Sequence, residues 1–222
     1  MLDFKNFPFK VVQPNFSMRL QDMGNLDPSK IKHCVWHHVG ASKDDDGTAA
    51  GTNKYHRDTN GWAGIGYHGQ IRWDGTLELG RPLNKSGVHA IGYNHESLGF
   101  VFSGNFNIGD INTRRKQFDS GVALGRLISV ALPKIIHVGH SQLRPTSCPG
   151  TKFPLQEFLT KINAKEQDMF TDLKDAWYPD IIEEAAKLGL IGGYADGTFR
   201  PKEPLTREQL VYVLMRYRSL KL

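Results

Sequence analysis

Three side chains with metal-binding chemistry stand at or just after predicted strands in this sequence of 222 residues. His37 comes late in the apolar run "IKHCVWHHV", and His140 and Cys148 stand eight positions apart in "HVGHSQLRPTSCPG". Imidazole nitrogen and thiolate sulfur are ligands that zinc prefers. A plainer interpretation also exists, because most free cysteines are small buried apolar residues and a histidine often ends a strand. The spacing alone leaves both open.

The three candidates converge only if two strands are neighbours in one sheet. Residues 31–39 and the segment "KIIHVGH" both have the apolar runs of buried strands. Two prolines exclude regular structure after the second strand, so Cys148 is expected in a loop at the same sheet edge. Two imidazoles and a thiolate then surround an open fourth position, as in a catalytic zinc site. His38 and His137 are alternative fourth ligands, but they point away or lie further back along their strands.

The elements between these strands predict the fold class. Thr48 is a candidate N-cap for a helix over residues 48–59. Another helix is predicted over residues 113–132, with one apolar face formed by Phe118, Val122, Leu127, Ile128 and Ala131. "GIGYHGQIRWDGTLELGRP" alternates around Asp74-Gly75 and predicts a hairpin, while "SLGFVFSGNF" predicts a strand. Strands that alternate with helices predict an α/β fold with a mixed central β-sheet flanked by helices.

A separate pattern follows the polar segment "INAKEQDM". The boundary is predicted near Glu166 and divides the chain into residues 1–165 and 166–222. Pro179 is expected to begin one helix and Thr206 to cap a second. A helix-turn-helix of this size buries little surface by itself, so this small all-α module is expected to pack on copies of itself or on the first domain.

Composition limits the partners and the compartment. The whole net charge of +5 lies in residues 1–169, because residues 170–222 hold eight basic and eight acidic side chains. This excess favours an anionic polymer such as a cell wall; nucleic acid is disfavoured because no basic stripe carries interleaved aromatic residues.

Cys34 and Cys148 are too few for a disulfide framework. The N-terminus lacks a secretory signal pattern and no segment has a membrane-spanning length, so we expect cytoplasmic synthesis without an anchor.

Four motifs occur in the order of the blocks of a known family: "CVWHHVG", "GYHGQIRWDGTLELGRP", "GVHAIGYNHESLGFVFSGNF" and "HVGHSQLRPTSCPG". Over residues 30–160 the sequence resembles the zinc N-acetylmuramoyl-L-alanine amidases, which are related to phage lysozyme-type amidases and peptidoglycan recognition proteins. The resemblance implies Zn²⁺ as cofactor, held by His37, His140 and Cys148. Zinc suits the implied hydrolysis because it polarises the amide carbonyl and lowers the pKa of bound water to about 7.

The same resemblance implies further site residues. Tyr67 in "GYH" matches the family's catalytic tyrosine, whose phenol can donate to a developing oxyanion or orient the water; core packing in the hairpin is its alternative. Thr146, the second catalytic candidate, stands where some members carry lysine and recognition-type members carry threonine. Its hydroxyl can assist the carbonyl but supplies no positive charge. The strand "GFVF" lacks the glutamate of some amidases, so the proton donor to the departing amine stays open. His89 is expected either to line the substrate groove, together with Trp62, or to stabilise its loop.

The segment "FTDLKDAWYPDIIEEAAKLGLIGGYADGTFRP", with the following "LTREQL", resembles one S-layer homology (SLH) repeat. Such modules hold proteins to secondary polymers of Gram-positive walls. The resemblance implies that Arg207 meets an anionic sugar substituent, because a guanidinium suits carboxylate geometry. Trp177 and Tyr194 are expected to stack on sugar faces, with core packing as the alternative for Trp177. Three repeats usually form one unit, so this chain either acts as a monomer or trimerises through its SLH repeat.

Together the two modules resemble a phage endolysin, which hydrolyses the amide bond between N-acetylmuramic acid and L-alanine after its release from the host cytoplasm to the wall. A host autolysin exported by another route is second. The alternative from another class is a non-catalytic peptidoglycan-binding protein, against which Cys148 argues because inactive recognition-type relatives commonly lack this ligand. An amidase for soluble cytosolic fragments is disfavoured by the wall-anchoring module.

Overall fold

Two compact units make up the computed structural model, one ending at Asn163 and the other beginning at Ala164. It describes residues 2–4, 7–42, 45–164, 170–194 and 196–219. The boundary predicted near Glu166 lies outside the described residues. No helix in these ranges combines the length and the apolar character that crossing a membrane requires.

The first unit is built on a mixed sheet of six strands in the order β1-β4-β3-β5-β2-β6. The strands are β1 (Val11–Val12), β2 (His33–His38), β3 (Gly69–Ile71), β4 (Leu77–Leu79), β5 (Ser97–Phe102) and β6 (Ile136–Gly139). β3 and β4 form the predicted hairpin and are antiparallel, whereas β2 is parallel to both β5 and β6. The predicted α/β class with a mixed central sheet is therefore confirmed.

The pairing of β2 with β6 places the two candidate histidines at one edge of the sheet. Trp36 is opposite Gly139 in this parallel ladder. His37 and His140 each come one residue later, so both stand where these strands end. The sheet therefore makes β2 and β6 neighbours, which the predicted ligand set requires and which the sequence alone did not show.

The described residues of the first unit also form three α-helices: α1 (Ala49–Asp58), α2 (Arg115–Ala131) and α3 (Leu155–Asn163). The hydroxyl of Thr48 caps α1 by accepting a hydrogen bond from the Gly51 N–H at 3.0 Å, as predicted. α2 approaches its neighbours closely at two glycines. A Cβ at Gly121 would lie 2.5 Å from Phe102 Cζ, and one at Gly125 would lie 2.5 Å from Ile162 Cδ1. This line of small residues sets which face of α2 is buried.

That glycine line corrects one detail of the predicted helix face. Phe118, Val122 and Ile128 are buried as the apolar spacing predicts. Leu127 is only half-buried and Ala131 is exposed, because the face that meets the sheet and α3 follows the glycines and not the last apolar residues of the helix.

Aromatic rings form the centre of the core. The fully buried Trp36 indole stacks on Phe102 and meets Phe158 edge-on at a centroid distance of 4.8 Å. Its Nε1 donates to Nδ1 of His137 at 3.2 Å, and the His137 Nε2 lies 2.9 Å from the Ser129 hydroxyl. His137 therefore belongs to the core, where both of its ring nitrogens have partners.

The second unit contains α4 (Pro179–Lys187) and α5 (Arg207–Ser219). Pro179 occupies the first turn of α4, as predicted. At the start of α5, the Gln209 N–H donates to the Thr206 hydroxyl at 3.1 Å, and the Thr206 N–H donates to Gln209 Oε1 at 2.8 Å. Most of α5 is nevertheless exposed, including Leu214 and Met215. A unit of this size buries little apolar surface by itself.

Candidate metal centre

The three residues predicted as metal ligands meet at the edge of the sheet. The ligand atoms of His37, His140 and Cys148 all lie within 4.8 Å of one another. The His37 Nδ1 is 3.5 Å from the Cys148 sulfur, and the rings of the two histidines are 4.7 Å apart at their centroids. Zinc binds nitrogen at about 2.0–2.1 Å and sulfur at about 2.3 Å, so two of its tetrahedral ligands are separated by roughly 3.6 Å. The donor geometry therefore fits a zinc ion.

Hydrogen bonds fix the loop that carries the thiol. The Cys148 N–H donates to the Thr146 hydroxyl oxygen at 3.3 Å. Asn107 binds the loop on both sides of the cysteine: its Nδ2 donates to Ser147 Oγ at 3.1 Å, and its Oδ1 accepts from the Thr151 N–H at 3.1 Å. Sequence reasoning missed Asn107, because nothing in its local pattern distinguishes it from an ordinary turn residue.

Burial sets the protonation of the donor groups. It lowers the pKa of His37 well below the usual range, with smaller contributions from neighbouring histidines, and it also lowers the pKa of His140. Burial raises the pKa of the Cys148 thiol to about 11, although a hydrogen bond from the His38 backbone opposes this. The imidazoles are therefore neutral and present lone pairs near pH 7. The thiol loses its proton only when a cation offsets the cost of its burial.

The two alternative fourth ligands face elsewhere. The His38 Nδ1 accepts a hydrogen bond from the Phe106 N–H at 2.9 Å, and His137 lies in the core with Trp36. In the part of the chain that the structure describes, the ligand group consists of two histidines and one cysteine. A site with three protein ligands leaves a coordination position for water or substrate, which is the pattern of catalytic zinc sites.

Tyr67 lies beside His37, and the centroids of the two rings are 5.1 Å apart. Burial raises the pKa of the Tyr67 phenol far above its usual value, and Cys148 contributes in the same direction. The phenol therefore keeps its proton and can act as a hydrogen-bond donor. Thr146 is exposed, and its hydroxyl keeps a proton to donate while its oxygen accepts from Cys148.

The two residues predicted for the substrate groove occupy different surroundings. His89 contacts the candidate ligand group, because its Nδ1 lies 3.1 Å from the His37 Nε2. Trp62 packs against His56 at a centroid distance of 4.6 Å and lines a cleft of about 280 Å³ together with Val88. His56 itself accepts a hydrogen bond from the Gly66 N–H at 3.0 Å, which is a structural contact.

The residues predicted to bind a wall polymer are on the surface of the second unit. Arg207 is exposed at the start of α5, and Trp177 exposes 89% of its surface, so it is not a core residue of this unit. One face of the Tyr194 ring is covered by the Arg200 guanidinium, 4.0 Å from the ring centroid, and its hydroxyl donates to Glu203 at 3.3 Å. Tyr194 therefore has at most one face for a sugar.

Comparisons with known proteins match both units. The family model described as N-acetylmuramoyl-L-alanine amidase matches residues 27–151, and the S-layer homology domain matches residues 170–211. Peptidoglycan-recognition protein SC2 of Drosophila simulans is 33% identical over 133 residues, which are 55% of this chain and 70% of that protein. An endolysin of Enterobacteria phage K11 is 30% identical over 109 residues, which are 48% of this chain and 70% of that protein.

Solved structures agree with these sequence matches. The endolysin N-acetylmuramoyl-L-alanine amidase LysCS from Clostridium intestinale superposes with a TM-score of 0.63 at 33% identity. The superposition covers 72% of this chain and 99% of that chain. The span matched by the amidase model includes His37, His140 and Cys148.

Proposed function

Because the chain belongs to the N-acetylmuramoyl-L-alanine amidase family, we propose that it hydrolyses the amide bond between N-acetylmuramic acid and L-alanine in bacterial peptidoglycan, using a zinc ion. The observation that carries this proposal is the convergence of His37, His140 and Cys148, whose ligand atoms lie within 4.8 Å of one another. Among the described residues three ligands converge, and a zinc site with three protein ligands is typical of a catalytic ion and not of a structural one.

The residues around the cluster have complementary tasks. A bound zinc ion supplies polarisation of the amide carbonyl and acidifies water. Tyr67 keeps its phenolic proton and donates a hydrogen bond to the oxygen that gains negative charge. Thr146 offers a second hydroxyl donor without positive charge. The departing amine takes its proton from water or from a neighbouring histidine.

A non-catalytic peptidoglycan-binding protein is the second candidate, favoured by the likeness to peptidoglycan-recognition protein SC2. Such a protein needs a groove for the polymer but no complete ligand set. The Cys148 sulfur lies 3.5 Å from His37, which supports the amidase over this alternative.

Digestion of purified Gram-positive peptidoglycan separates the two candidates. We expect the full-length protein to release new L-alanine amino termini, which mass spectrometry identifies. A chelator should abolish them, and added zinc should restore them. Binding to the wall without new ends would contradict the amidase and support the recognition protein, whereas ends that persist in chelator would contradict the metal mechanism.

We also propose that the second unit anchors the enzyme to a secondary polymer of the Gram-positive cell wall. The match of residues 170–211 to the S-layer homology domain supports this, as does the exposure of Arg207 and Trp177. A single repeat binds either as a monomer or as a trimer, and the trimer gains avidity. The endolysin relative supports a phage enzyme that is made in the host cytoplasm and acts on the wall after release.

Arg207→Ala in the full-length protein is expected to weaken wall binding by roughly tenfold or more, because a hydrogen bond to a charged group contributes about 1.5–3 kcal/mol. Co-sedimentation with purified walls measures the effect, and the hydrolysis of soluble muropeptides should not change. Arg218→Ala is the matched control, since it removes the same charge from the same helix. Equal wall binding by Arg207→Ala and the wild type would exclude Arg207 from polymer recognition.

A further inference from the structure

His89 contacts His37 on the side of the ring that is opposite to the Cys148 thiol. Its Nδ1 lies 3.1 Å from the His37 Nε2, while the other nitrogen of His37, Nδ1, faces the Cys148 sulfur at 3.5 Å. The His37 ring therefore lies between the His89 imidazole and the Cys148 thiol. The remaining nitrogen of His89, Nε2, is buried, so solvent and a bound substrate do not reach it.

The positions of the ring protons determine which histidine donates in the hydrogen bond between His37 and His89. A neutral imidazole carries one proton, and a nitrogen binds a cation only through a free lone pair. For His37 to bind through Nδ1, its proton must be on Nε2, where it is donated to the Nδ1 of His89. The reverse arrangement, with His89 donating, leaves the proton of neutral His37 on Nδ1 and blocks the cation. One of the two tautomer pairs is therefore competent for metal binding.

The surroundings of His89 hold its ring in place. A Cβ at Gly87 would lie 2.3 Å from the ring Cδ2, and a Cβ at Gly99 in β5 would lie 2.5 Å from the same atom. Both positions must remain without a side chain for the ring to sit where it does. The backbone N–H groups of His89 and Ala90 both donate to Asn94 Oδ1 at 2.9 Å, which fixes the loop that presents the ring.

We propose that His89 is a positioning residue of the metal centre, which accepts the Nε2 proton of His37 and so fixes the tautomer and ring orientation of this ligand. This inference rests on the proposed zinc site. Ligand histidines commonly give their second N–H to a carboxylate, a carbonyl or water; here a neutral imidazole takes that place. His89 acts through His37 and does not touch the reacting atoms.

Metal affinity of the full-length protein tests the proposal without an activity assay. We expect His89→Ala to weaken Zn²⁺ and Co²⁺ binding by roughly 10–100-fold, the range for lost outer partners of ligands, measured by competition with a chromophoric chelator. His89→Asn keeps an acceptor oxygen near the position of Nδ1 and should retain more affinity than His89→Ala. His95→Ala, an exposed histidine in the same segment, is the matched control and should bind like the wild type.

Nitrogen-15 NMR shows which ring nitrogen of each histidine carries the proton. A purely structural role of His89 makes no prediction about these positions. In the zinc-loaded wild type we expect the His37 proton on Nε2 and the His89 proton also on Nε2. A His89 proton on Nδ1, or equal metal affinity of His89→Ala and the wild type, would overturn the role of His89 while leaving the metal site intact. A wild type that binds neither metal would instead overturn the proposed zinc function and this inference with it.

Discussion

Cys148→Ser is expected to remove metal binding and amidase activity together. The thiol of Cys148 lies 3.5 Å from His37 and is the softest of the three donors. A serine hydroxyl does not lose its proton as a thiol does beside a cation, so the variant keeps two neutral imidazoles and no anionic ligand. We expect kcat/KM to fall on the order of a hundredfold or more, equivalent to about 2.7 kcal/mol of transition-state stabilisation.

The zinc content of the purified protein and kcat/KM on muropeptides measure these two effects. Cys34→Ala is the control, because Cys34 is a fully buried core residue of β2 whose loss should lower thermal stability but leave the zinc content unchanged. Full zinc content and full activity in Cys148→Ser would exclude the cysteine from the ligand set. A fully active wild type without zinc would refute the metal mechanism itself.

Tyr67→Phe is expected to slow turnover while zinc stays bound. The ring remains beside His37, where its centroid is 5.1 Å away, but the proton that the buried phenol keeps for donation is lost. Removing one hydrogen-bond donor to a developing oxyanion lowers kcat by roughly 10²–10³-fold in well-studied enzymes. Because the interaction belongs to the transition state, kcat and kcat/KM should fall by similar factors.

Tyr55→Phe is the matched control for this experiment. Tyr55 is on α1 and 59% exposed, so the same loss of a hydroxyl there should leave kcat unchanged. Steady-state kinetics and zinc content of both variants complete the comparison. An unchanged rate in Tyr67→Phe would assign the tyrosine to packing in the hairpin.

Local patterns were sufficient to predict the elements that lead to the site. The apolar run before His37 and the one before His140 predict strands β2 and β6, and the prolines around Cys148 predict the loop. Each prediction depends on residues within a few positions of one another, where propensity and periodicity operate. The resemblance to the amidases then supplied the expectation that all three residues belong to one ligand set.

Contacts between distant segments were beyond these patterns. His89 is 52 positions from His37 in the chain, and its ring packs over Gly87 and Gly99 where it meets the His37 imidazole. Asn107 acts on the Cys148 loop from 40 positions away. Glycines and asparagines of this kind look like ordinary turn residues in the sequence, because their effect depends on the tertiary neighbour and not on their own segment.

Because 111 positions separate His37 from Cys148, a metal ion bound by both residues would also stabilise the fold. An ion held by both would act as a reversible crosslink between an inner strand and a late loop. Binding to the folded chain alone stabilises it by about 2.7 kcal/mol when the free ion is at a hundred times its dissociation constant. Zinc supply would thus change the free energy of unfolding of this unit, apart from any effect on the rate of hydrolysis.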